Sequence, residues 1–220
     1  MSQRRLARLR ATLESRQPDL TVLLDGVHKP HNLSAVLRSC DAVGVFQAHA
    51  VWPYGEVGVS RHTSAGAGQW VPVTAHESVE AGIAERHAAG MNVYVAHDSG
   101  AAVDFRAVDY TQPTAIVLGA ELTGPSDVAI QRADGHIAIP MVGLSESLNV
   151  SVAAAVILFE AQRQRSAAGM YDQPRLDDNV LERILFEWMQ PRIARYCRRR
   201  NLPYPPLDDD GQVTQLPREG

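Results

Sequence analysis

The sequence has 220 residues, of which 45% are hydrophobic and 21% are charged, so it is long enough to bury one substantial core. No uncharged run approaches the ~20 residues that cross a bilayer, and the Arg-rich amino terminus lacks the apolar segment of a signal peptide. Composition therefore excludes a membrane protein and favours a globular protein of the cytoplasm. Cys40 and Cys197 are too few for a disulfide framework, and we interpret both as reduced structural thiols, with a single bridge as the alternative.

The formal net charge of −4 is unevenly distributed along the chain. Residues 1–20 carry +3, residues 21–159 carry −7, residues 160–200 carry +3 and residues 201–220 carry −3. Every Lys or Arg position except Lys29 is an arginine, whose planar guanidinium suits bidentate contacts to phosphate. An acidic body between two basic arms indicates a protein whose arms bind a polyanion, although GC-rich codon usage is a simpler explanation of the arginine bias alone.

The first predicted element is an amphipathic helix over residues 3–16, in which leucines recur at helical spacing among arginines. Short apolar runs then alternate with helical patterns at about 32–43, 77–89 and 126–133, as in α/β folds with a mainly parallel sheet. The runs, each typical of a buried strand, are Thr21–Asp25, Ala48–Trp52, Asn92–Ala96, Thr114–Leu118 and His136–Pro140. We therefore predict a basic helix over residues 1–18 and an α/β body over residues 19–166.

Further helices are predicted after the last of these strands. An apolar, Ala-rich helix should run from Asn149 to about Ser166, and residues 177–200 form another helical stretch that should bend or break near Pro191. We assign residues 167–200 to a helical extension of the body. The Pro- and Asp-rich residues 201–220 indicate a poorly ordered tail.

Three polar segments lie at or beyond the carboxyl ends of predicted strands, where α/β folds bind their ligands. The first segment, Asp25 to Gly44, is a strand end, a polar loop and a helix, with Asn32 expected at the helix N-cap and Arg38 six residues later. Two interpretations stay open for each residue. Asn32 is either a plain cap or a functional residue, and Arg38 is either a solvated surface residue or one that binds a ligand.

The second segment, Leu118 to Gly124, contains two glycines that permit a tight turn and the close approach of a ligand. Glu121 in this turn either faces water or binds a hydroxyl or ammonium group. The segment is not a P-loop, and the chain contains no dinucleotide-binding fingerprint that opens a helix. In the third segment, Ile139 to Ala155, ordinary capping of the following helix by Ser147 or Asn149 is the simplest interpretation.

Together these segments resemble the three motifs of SPOUT methyltransferases in their order and spacing. The matching stretches are Asn32 to Arg38, Leu118 to Gly124 and Ile139 to Ser151. Two further stretches, Val27 to Asn32 and Glu160 to Tyr171, look more narrowly like the bacterial TrmH family. The resemblance covers residues 3–200 and implies transfer of a methyl group from S-adenosylmethionine to the ribose 2′-hydroxyl of guanosine 18 in tRNA.

The resemblance also implies a SPOUT fold with a deep trefoil knot in the carboxyl-terminal part of the body. It further implies a homodimer in which each site borrows residues from the partner. The loops of the second and third motifs would then wrap the cofactor. By position, the resemblance assigns cofactor contacts to Ala96, Leu118, Gly119, Ile139 and Leu148, and functional roles to Arg38, Asn32, Glu121, Ser147 and Asn149.

Arg38 is the residue to which the resemblance gives the central catalytic role, as a base aided by a substrate phosphate. Because a guanidinium is normally a fixed cation, orienting the nucleotide and stabilising a developing alkoxide are physically easier roles. For RNA binding, phosphate contacts are expected from Arg8 and Arg10 of the first helix and from Arg163 and Arg165. The simpler interpretation of the last two is a solvated helix face.

No metal is expected, because His28 and His31 lack zinc-ligand spacing to other ligand residues and a sulfonium already activates the methyl carbon. Two alternative functions stay open. A related SPOUT enzyme would act on another RNA, such as ribosomal RNA, although the short amino-terminal helix in place of a separate RNA-binding domain favours tRNA. A non-catalytic RNA-binding relative would keep the fold without the chemistry, and the joint presence of the motif residues speaks against it.

Overall fold

The computed structural model describes residues 3–52 and 67–214, which divide into a body, Gln17–Met170, and a terminal unit, formed by the residues up to Arg16 with those from Tyr171 onward. The strands are β1 (Leu20–Asp25), β2 (Ala48–Val51), β3 (Val73–His76), β4 (Asn92–Ala96), β5 (Val103–Asp104), β6 (Thr114–Gly119) and β7 (Gly135–Ala138). The helices are α1 (Gln3–Glu14), α2 (Pro30–Ala42), α3 (Ala67–Trp70), α4 (Val79–Ala88), α5 (Asp127–Arg132), α6 (Val150–Ala167), α7 (Asp178–Met189) and α8 (Pro191–Arg200), with a 3₁₀ turn at Phe105–Ala107.

The body is built on a seven-stranded parallel sheet in the order β3-β2-β1-β6-β4-β7-β5. At its centre β1 and β6 pair in register from Leu20 opposite Thr114 to Asp25 opposite Gly119, and nearly all their residues are buried. Strands that are buried on both faces have continuous apolar sequences, which is why both were predicted. The expected α/β architecture with a mainly parallel sheet is confirmed.

The five predicted strands lie within two residues of their expected bounds, but β3, β5 and α3 were not predicted. The edge strand β3 pairs with β2 and has only its last residue buried, and β5 consists of two exposed residues that pair with β7. The helix α3 is a single turn of four residues. Elements this short and this exposed bury too little apolar surface to leave a recognisable periodicity.

Helices cover both faces of the sheet, so alternate residues of the central strand β1 are buried in two separate layers. Leu20, Val22 and Leu24 pack in a core cluster that contains residues of α2 and α6. Leu23 points to the other face, where it packs with Ile83 of α4. Because the central strands are held on both faces, the loops at their carboxyl ends have firm supports.

The strand order brings the carboxyl ends of β1, β6, β4 and β7 side by side at one edge of the sheet. The loop after β6 is closed by an antiparallel bridge between Ala120 and Gly124. A Cβ atom on Gly119 would lie 2.0 Å from the backbone nitrogen of Pro125, so only glycine fits there. This tight turn places Glu121 at the ligand-binding edge, next to the loop that follows β1.

A buried polar cluster in the body corrects one sequence-based expectation. Arg165 of α6 is completely buried, and its guanidinium donates to Asp19 Oδ1 at 2.6 Å and to Gln17 Oε1 at 3.1 Å. It also donates to the backbone carbonyls of Tyr110 at 2.8 Å and of Asp19 and Gln112 at 3.1 Å. All its N–H groups are therefore used inside the protein, and the interpretation of Arg165 as a phosphate ligand is wrong. We call these residues the Arg165 cluster.

In the terminal unit, Pro191 begins α8 directly after α7, and the expected break near this proline is confirmed. The expectation of a poorly ordered tail differs from the structure over residues 202–214. There Tyr204 stacks on Phe186 with ring centroids 4.6 Å apart, and Gln190 Nε2 donates to the carbonyl of Gly211 at 2.7 Å. The tail is anchored because it covers apolar side chains of α7.

Two smaller expectations concern the cysteines and the membrane. Cys40 and Cys197 are both buried and unbridged, which fits structural thiols. Over residues 3–52 and 67–214, the helices are all too short or too polar to span a bilayer.

Candidate active site

Three side chains from separate parts of the chain meet at the carboxyl edge of the sheet. They are Asn32 near the start of α2, Glu121 in the turn after β6, and Asn149 immediately before α6. The Asn149 Nδ2 amide donates to Glu121 Oε1 and lies 3.3 Å from Asn32 Oδ1. We call these residues the polar triad. The structure thus brings together one residue from each of the three polar segments identified in the sequence.

Asn32 is not the helix cap that the sequence predicted. The N-cap of α2 is Lys29, whose side chain makes no capping bond, and Pro30 occupies the first turn of the helix. A proline there is favourable because its φ angle is already helical and no N–H is lost from the helix. Asn32 is therefore inside the first turn and 2% exposed, so its amide is available to the polar triad.

Asn149 is the N-cap of α6, as one of the two sequence interpretations expected. Its Oδ1 accepts from the Ser151 backbone N–H at 2.8 Å and from Ser151 Oγ at 2.6 Å. These bonds fix which side of the amide faces the helix, so that Nδ2 must point toward Glu121 and Asn32. One amide therefore serves both roles: Oδ1 caps the helix, and Nδ2 belongs to the polar triad.

Glu121 is held from a second side by Lys29, whose ammonium group donates to Glu121 Oε2. The Lys29 side chain is 57% exposed, whereas the Glu121 side chain is 20% exposed. This hydrogen bond is the largest cause that lowers the pKa of Glu121, and the Asn32 amide is the next. Glu121 is consequently a carboxylate at neutral pH, with both oxygens already engaged.

A cavity of about 430 Å³ opens beside the polar triad. It is large enough for a nucleotide-sized ligand, since small-molecule sites in proteins span roughly 300–1,000 Å³. Its lining comes from the loop after β1 and the turn after β6: Gly26, Val27, His28, Lys29, Asn32, Ala120, Glu121, Leu122 and Thr123. The arrangement offers a carboxylate, an amide and an ammonium group to whatever enters the cavity.

The two remaining functional candidates lie outside this hydrogen-bonded group. Arg38 is exposed on α2, six residues after Asn32, and forms no ion pair with any other residue in the described part of the chain. Ser147 is exposed in the loop that leads to α6. Neither side chain is part of the lining of the cavity beside the polar triad.

The five candidate cofactor residues follow the carboxyl edge of the sheet. In the parallel register, Leu118 and Gly119 end β6 opposite the end of β1, and Ala96 ends β4 beside β7. Ile139 directly follows β7, and Leu148 precedes α6. Leu118 is buried in the core and offers only its backbone, whereas the other four are half-buried and able to contact a ligand.

The other candidate RNA ligands differ from Arg165 in their exposure. Arg8 is exposed on α1, and Arg10 pairs with Glu182 at 2.5 Å while its side chain stays 41% exposed. Arg163 forms two bonds of 2.8 Å to Glu160 on its own helix and is 66% exposed. These three guanidinium groups face water, where phosphate can reach them.

A buried histidine pair was not found from the sequence, because its members come from β2 and β3. His49 Nδ1 lies 2.9 Å from His76 Nε2, Arg86 Nη1 lies 2.7 Å from His49 Nε2, and Glu85 lies 3.5 Å from His76 Nδ1. Burial lowers the pKa of His49 to about 3, with Arg86 and then His76 adding to the effect.

His49, His76 and Glu85 have ligand atoms within 4.8 Å of one another, which is compatible with a metal ion. However, the Arg86 guanidinium is hydrogen-bonded to Nε2 of His49, so that nitrogen is not available to a metal ion. The positive charge of Arg86 would also repel a metal cation. The contacts are consistent with two neutral rings in a chain of hydrogen bonds. Within the described ranges, His28 and His31 belong to no such group of ligand residues.

Comparison with known families and proteins gives consistent matches. Residues 19–159 match the SpoU rRNA Methylase family, and residues 163–216 match the family described as SpoU, rRNA methylase, C-terminal. The chain is 46% identical to the tRNA (guanosine(18)-2'-O)-methyltransferase of Escherichia coli K12, over 97% of this chain and 94% of that protein.

Solved structures agree with the sequence matches. The crystal structure of the Aquifex aeolicus TrmH/SpoU tRNA modifying enzyme superposes with a TM-score of 0.79 and 41% identity, covering 84% of this chain and 94% of that one. The SpoU methyltransferase AviRb from Streptomyces viridochromogenes, in complex with the cofactor AdoMet, has a TM-score of 0.57 and 32% identity, covering 70% of this chain and 62% of that one.

Proposed function

The chain belongs to the SpoU methylase family, and we propose that it transfers a methyl group from S-adenosylmethionine to the ribose 2′-hydroxyl of guanosine 18 in tRNA. The observation that carries this proposal is the match to a guanosine-18 enzyme over almost the whole of both chains. A match confined to the body would support only the shared cofactor chemistry. Here it includes the terminal unit, which is the part expected to differ between enzymes that act on different RNAs.

The residues at the carboxyl edge fit the proposed cofactor. Ala96, Ile139 and Leu148 provide half-buried apolar surface, and most residues of the loop from 139 to 149 are exposed. Ligand sites of this kind combine apolar walls with a few backbone donors and acceptors. When bound, the cofactor supplies a methyl group on a positively charged sulfur, so that the methyl carbon is already activated for attack.

In the proposed reaction the ribose 2′-oxygen forms a bond to the methyl carbon, the bond from that carbon to sulfur breaks with its electron pair on sulfur, and the hydroxyl proton passes to solvent water at or before transfer. The polar triad has the donors and acceptors to orient the nucleotide. Arg38 supplies a fixed positive charge that stabilises negative charge developing on the 2′-oxygen. We assign the exposed Ser147 a supporting contact to the nucleotide.

We propose that Arg8, Arg10 and Arg163 contact tRNA phosphates, because their side chains are the exposed members of the candidate set. Each such contact releases counterions and contributes about one unit to the salt dependence of binding. A substrate of this kind also implies that the protein works in the cytoplasm.

We also propose a homodimer that packs α6 and the preceding loop against a second copy. The exposed apolar side chains Val142, Leu144, Val152 and Phe159 all lie in this region. Such a concentration on one helix and one loop is typical of an interface. For the same region we propose the trefoil knot of the SPOUT fold, since α6 packs against α2 after the chain has passed through β6 and β7.

The test is to incubate the purified protein with an unmodified tRNA transcript and isotopically labelled S-adenosylmethionine, and then to map the modified nucleotide. We expect one labelled ribose, at guanosine 18. A matched transcript with 2′-deoxyguanosine at this position should remain unlabelled. Label at another tRNA position, or only in ribosomal RNA, would assign the chain to a related activity, and tRNA binding without label would identify a non-catalytic relative.

A further inference from the structure

Lys29 is the only lysine in the sequence, and it lies at the entrance of the proposed active site. It is the last residue before α2, and its backbone, at the N-cap, is fixed by Pro30. Its side chain lines the cavity of about 430 Å³, and its ammonium group donates to Glu121 Oε2. An ammonium group has no acceptor with which to cap the N–H groups at the start of the helix, and the bond that this side chain does make is the one to Glu121.

The bond to Lys29 connects this lysine to the whole polar triad. Glu121 accepts from Lys29 with one carboxylate oxygen and from Asn149 with the other, and the same Asn149 amide approaches Asn32. Both oxygens of the carboxylate therefore accept hydrogen bonds, and the two donors come from different segments of the chain. Its neighbour Leu122 is 92% exposed, so the tip of the turn gains little support from apolar packing.

We propose that Lys29 is a positioning residue for methyl transfer, which holds the Glu121 carboxylate against Asn149 and balances its charge beside the reacting 2′-oxygen. This inference rests on the proposed function. A carboxylate without a counter-charge would repel the negative charge that develops on the 2′-oxygen during transfer. Lys29 thus acts through Glu121, and the triad acts on the nucleotide.

The sharpest test is the single-turnover rate at saturating tRNA and cofactor. We expect Lys29→Ala to lower this rate about 10-fold or more while the tRNA dissociation constant changes less than about 2-fold, because mispositioning affects the transition state more than binding. Lys29→Arg should recover most of the rate, since it keeps the charge. The matched control is Arg132→Ala, which removes an exposed cation paired with Glu80 at 2.5 Å on another helix of the body.

The dependence of that rate on pH supplies a second readout. The hydrogen bond from Lys29 is the largest cause that lowers the pKa of Glu121, and the Asn32 amide is the next. In Lys29→Ala the pKa of Glu121 should rise toward its ordinary value. Protonation of Glu121 would then begin at higher pH, so the acidic limb of the pH–rate profile should move upward in Lys29→Ala and stay in place in Lys29→Arg.

A double-mutant cycle and chemical modification protect the test against folding artefacts. When Lys29→Ala is added to Glu121→Gln, the single-turnover rate should fall little further, because both changes break the same contact. Acetylation of the folded wild-type protein modifies the single lysine ε-amine as well as the α-amine of the chain, so it should reproduce the loss in the wild-type protein and cause no further loss in Lys29→Ala. Reductive dimethylation keeps the positive charge and should retain more of the rate than acetylation.

Two results would overturn the inference. One is a single-turnover rate and a tRNA dissociation constant that are both unchanged in Lys29→Ala. The other is a normal rate with weaker tRNA binding and a salt dependence lowered by about one unit, which would make Lys29 a phosphate ligand. Failure of the wild-type protein to methylate guanosine 18 would instead contradict the proposed function, and that result is obtained before any variant is made.

Discussion

The Arg165 cluster and the polar triad both join distant segments of the body through charged and amide side chains. They differ in whether their polar groups remain accessible to a ligand. Every N–H group of Arg165 is bonded inside the protein, and its side chain is 0% exposed. The polar triad instead borders a cavity, and its carboxylate is 20% exposed. A closed cluster can only stabilise the fold, whereas an open one retains bonding capacity for a ligand.

The largest effect should come from breaking the closed cluster. Arg165→Met should lower the free energy of unfolding by about 3–5 kcal/mol, because it removes five hydrogen bonds of a buried guanidinium, among them the ion pair with Asp19 and the bond to the carbonyl of Tyr110. Urea denaturation measures this loss, with the exposed Arg163→Met as control. Unchanged stability together with weaker tRNA binding would show that the cluster is not the closed structural unit described above.

The corresponding change at the open site should affect rate rather than stability. Arg38 is exposed and outside the hydrogen-bonded group, so Arg38→Lys should leave the free energy of unfolding and cofactor affinity nearly unchanged. Turnover should fall about 100-fold or more, because lysine cannot reproduce the planar guanidinium beside a developing negative charge. Single-turnover methylation and cofactor titration measure the two quantities. A near-normal methylation rate would remove Arg38 from the catalytic set.

The buried histidine pair is a second closed cluster in the body. Unlike the Arg165 cluster, it should make the stability of the fold depend on pH. Burial keeps the pKa of His49 at about 3, whereas in the unfolded chain it has the ordinary value of 6.5. As the pH falls below 6.5, His49 binds a proton in the unfolded chain but stays neutral in the folded protein. The free energy of unfolding therefore decreases until the pH reaches about 3.

Between pH 7 and pH 5, the protonation of His49 in the unfolded chain should by itself lower the free energy of unfolding by about 2 kcal/mol. The measurement is urea denaturation at a series of pH values. His49→Gln should flatten this part of the profile, whereas the exposed His87→Gln should not. His49 contacts His76 and Arg86, and Glu85 contacts His76. An unaltered slope in His49→Gln would show that these other groups cause the loss of stability.

The smallest effect concerns Arg163, which lies on the same helix as Arg165 but faces water. Arg163→Ala should change stability by less than about 1 kcal/mol, because the Arg163 side chain is 66% exposed and Glu160 keeps its hydrogen bond from Gln164 Nε2. It should lower the salt dependence of tRNA binding by about one unit. Binding measured at several salt concentrations tests this, and an identical slope and affinity would show that no phosphate contact exists.

Local sequence patterns predicted the parts of this fold whose cause is local. The central strands β1 and β6 were found because burial on both faces requires continuous apolar residues, and the break before α8 was found because Pro191 cannot continue a helix. The edge strands β3 and β5 were missed, since their pairing depends on neighbours rather than on their own composition.

The polar side chains show the limit more clearly. Arg163 and Arg165 are two positions apart and looked equivalent, but the partners of Arg165 lie at positions 17–19 and 110–112. Lys29 was passed over for the same reason, because Glu121 is distant in sequence. The motif residues Asn32, Glu121 and Asn149 were identified through a resemblance, since spacing alone left each of them an ordinary explanation.

A single lysine also has a practical consequence for anyone who handles this protein. Dyes, cross-linkers and sensor surfaces that couple through the ε-amine of lysine have one target in the sequence, and it lies at the mouth of the cavity. Preparations labelled in this way carry label at the proposed site as well as at the α-amine of the chain. Immobilisation through buried Cys40 or Cys197 is no substitute, so an affinity tag is the sounder choice for binding assays.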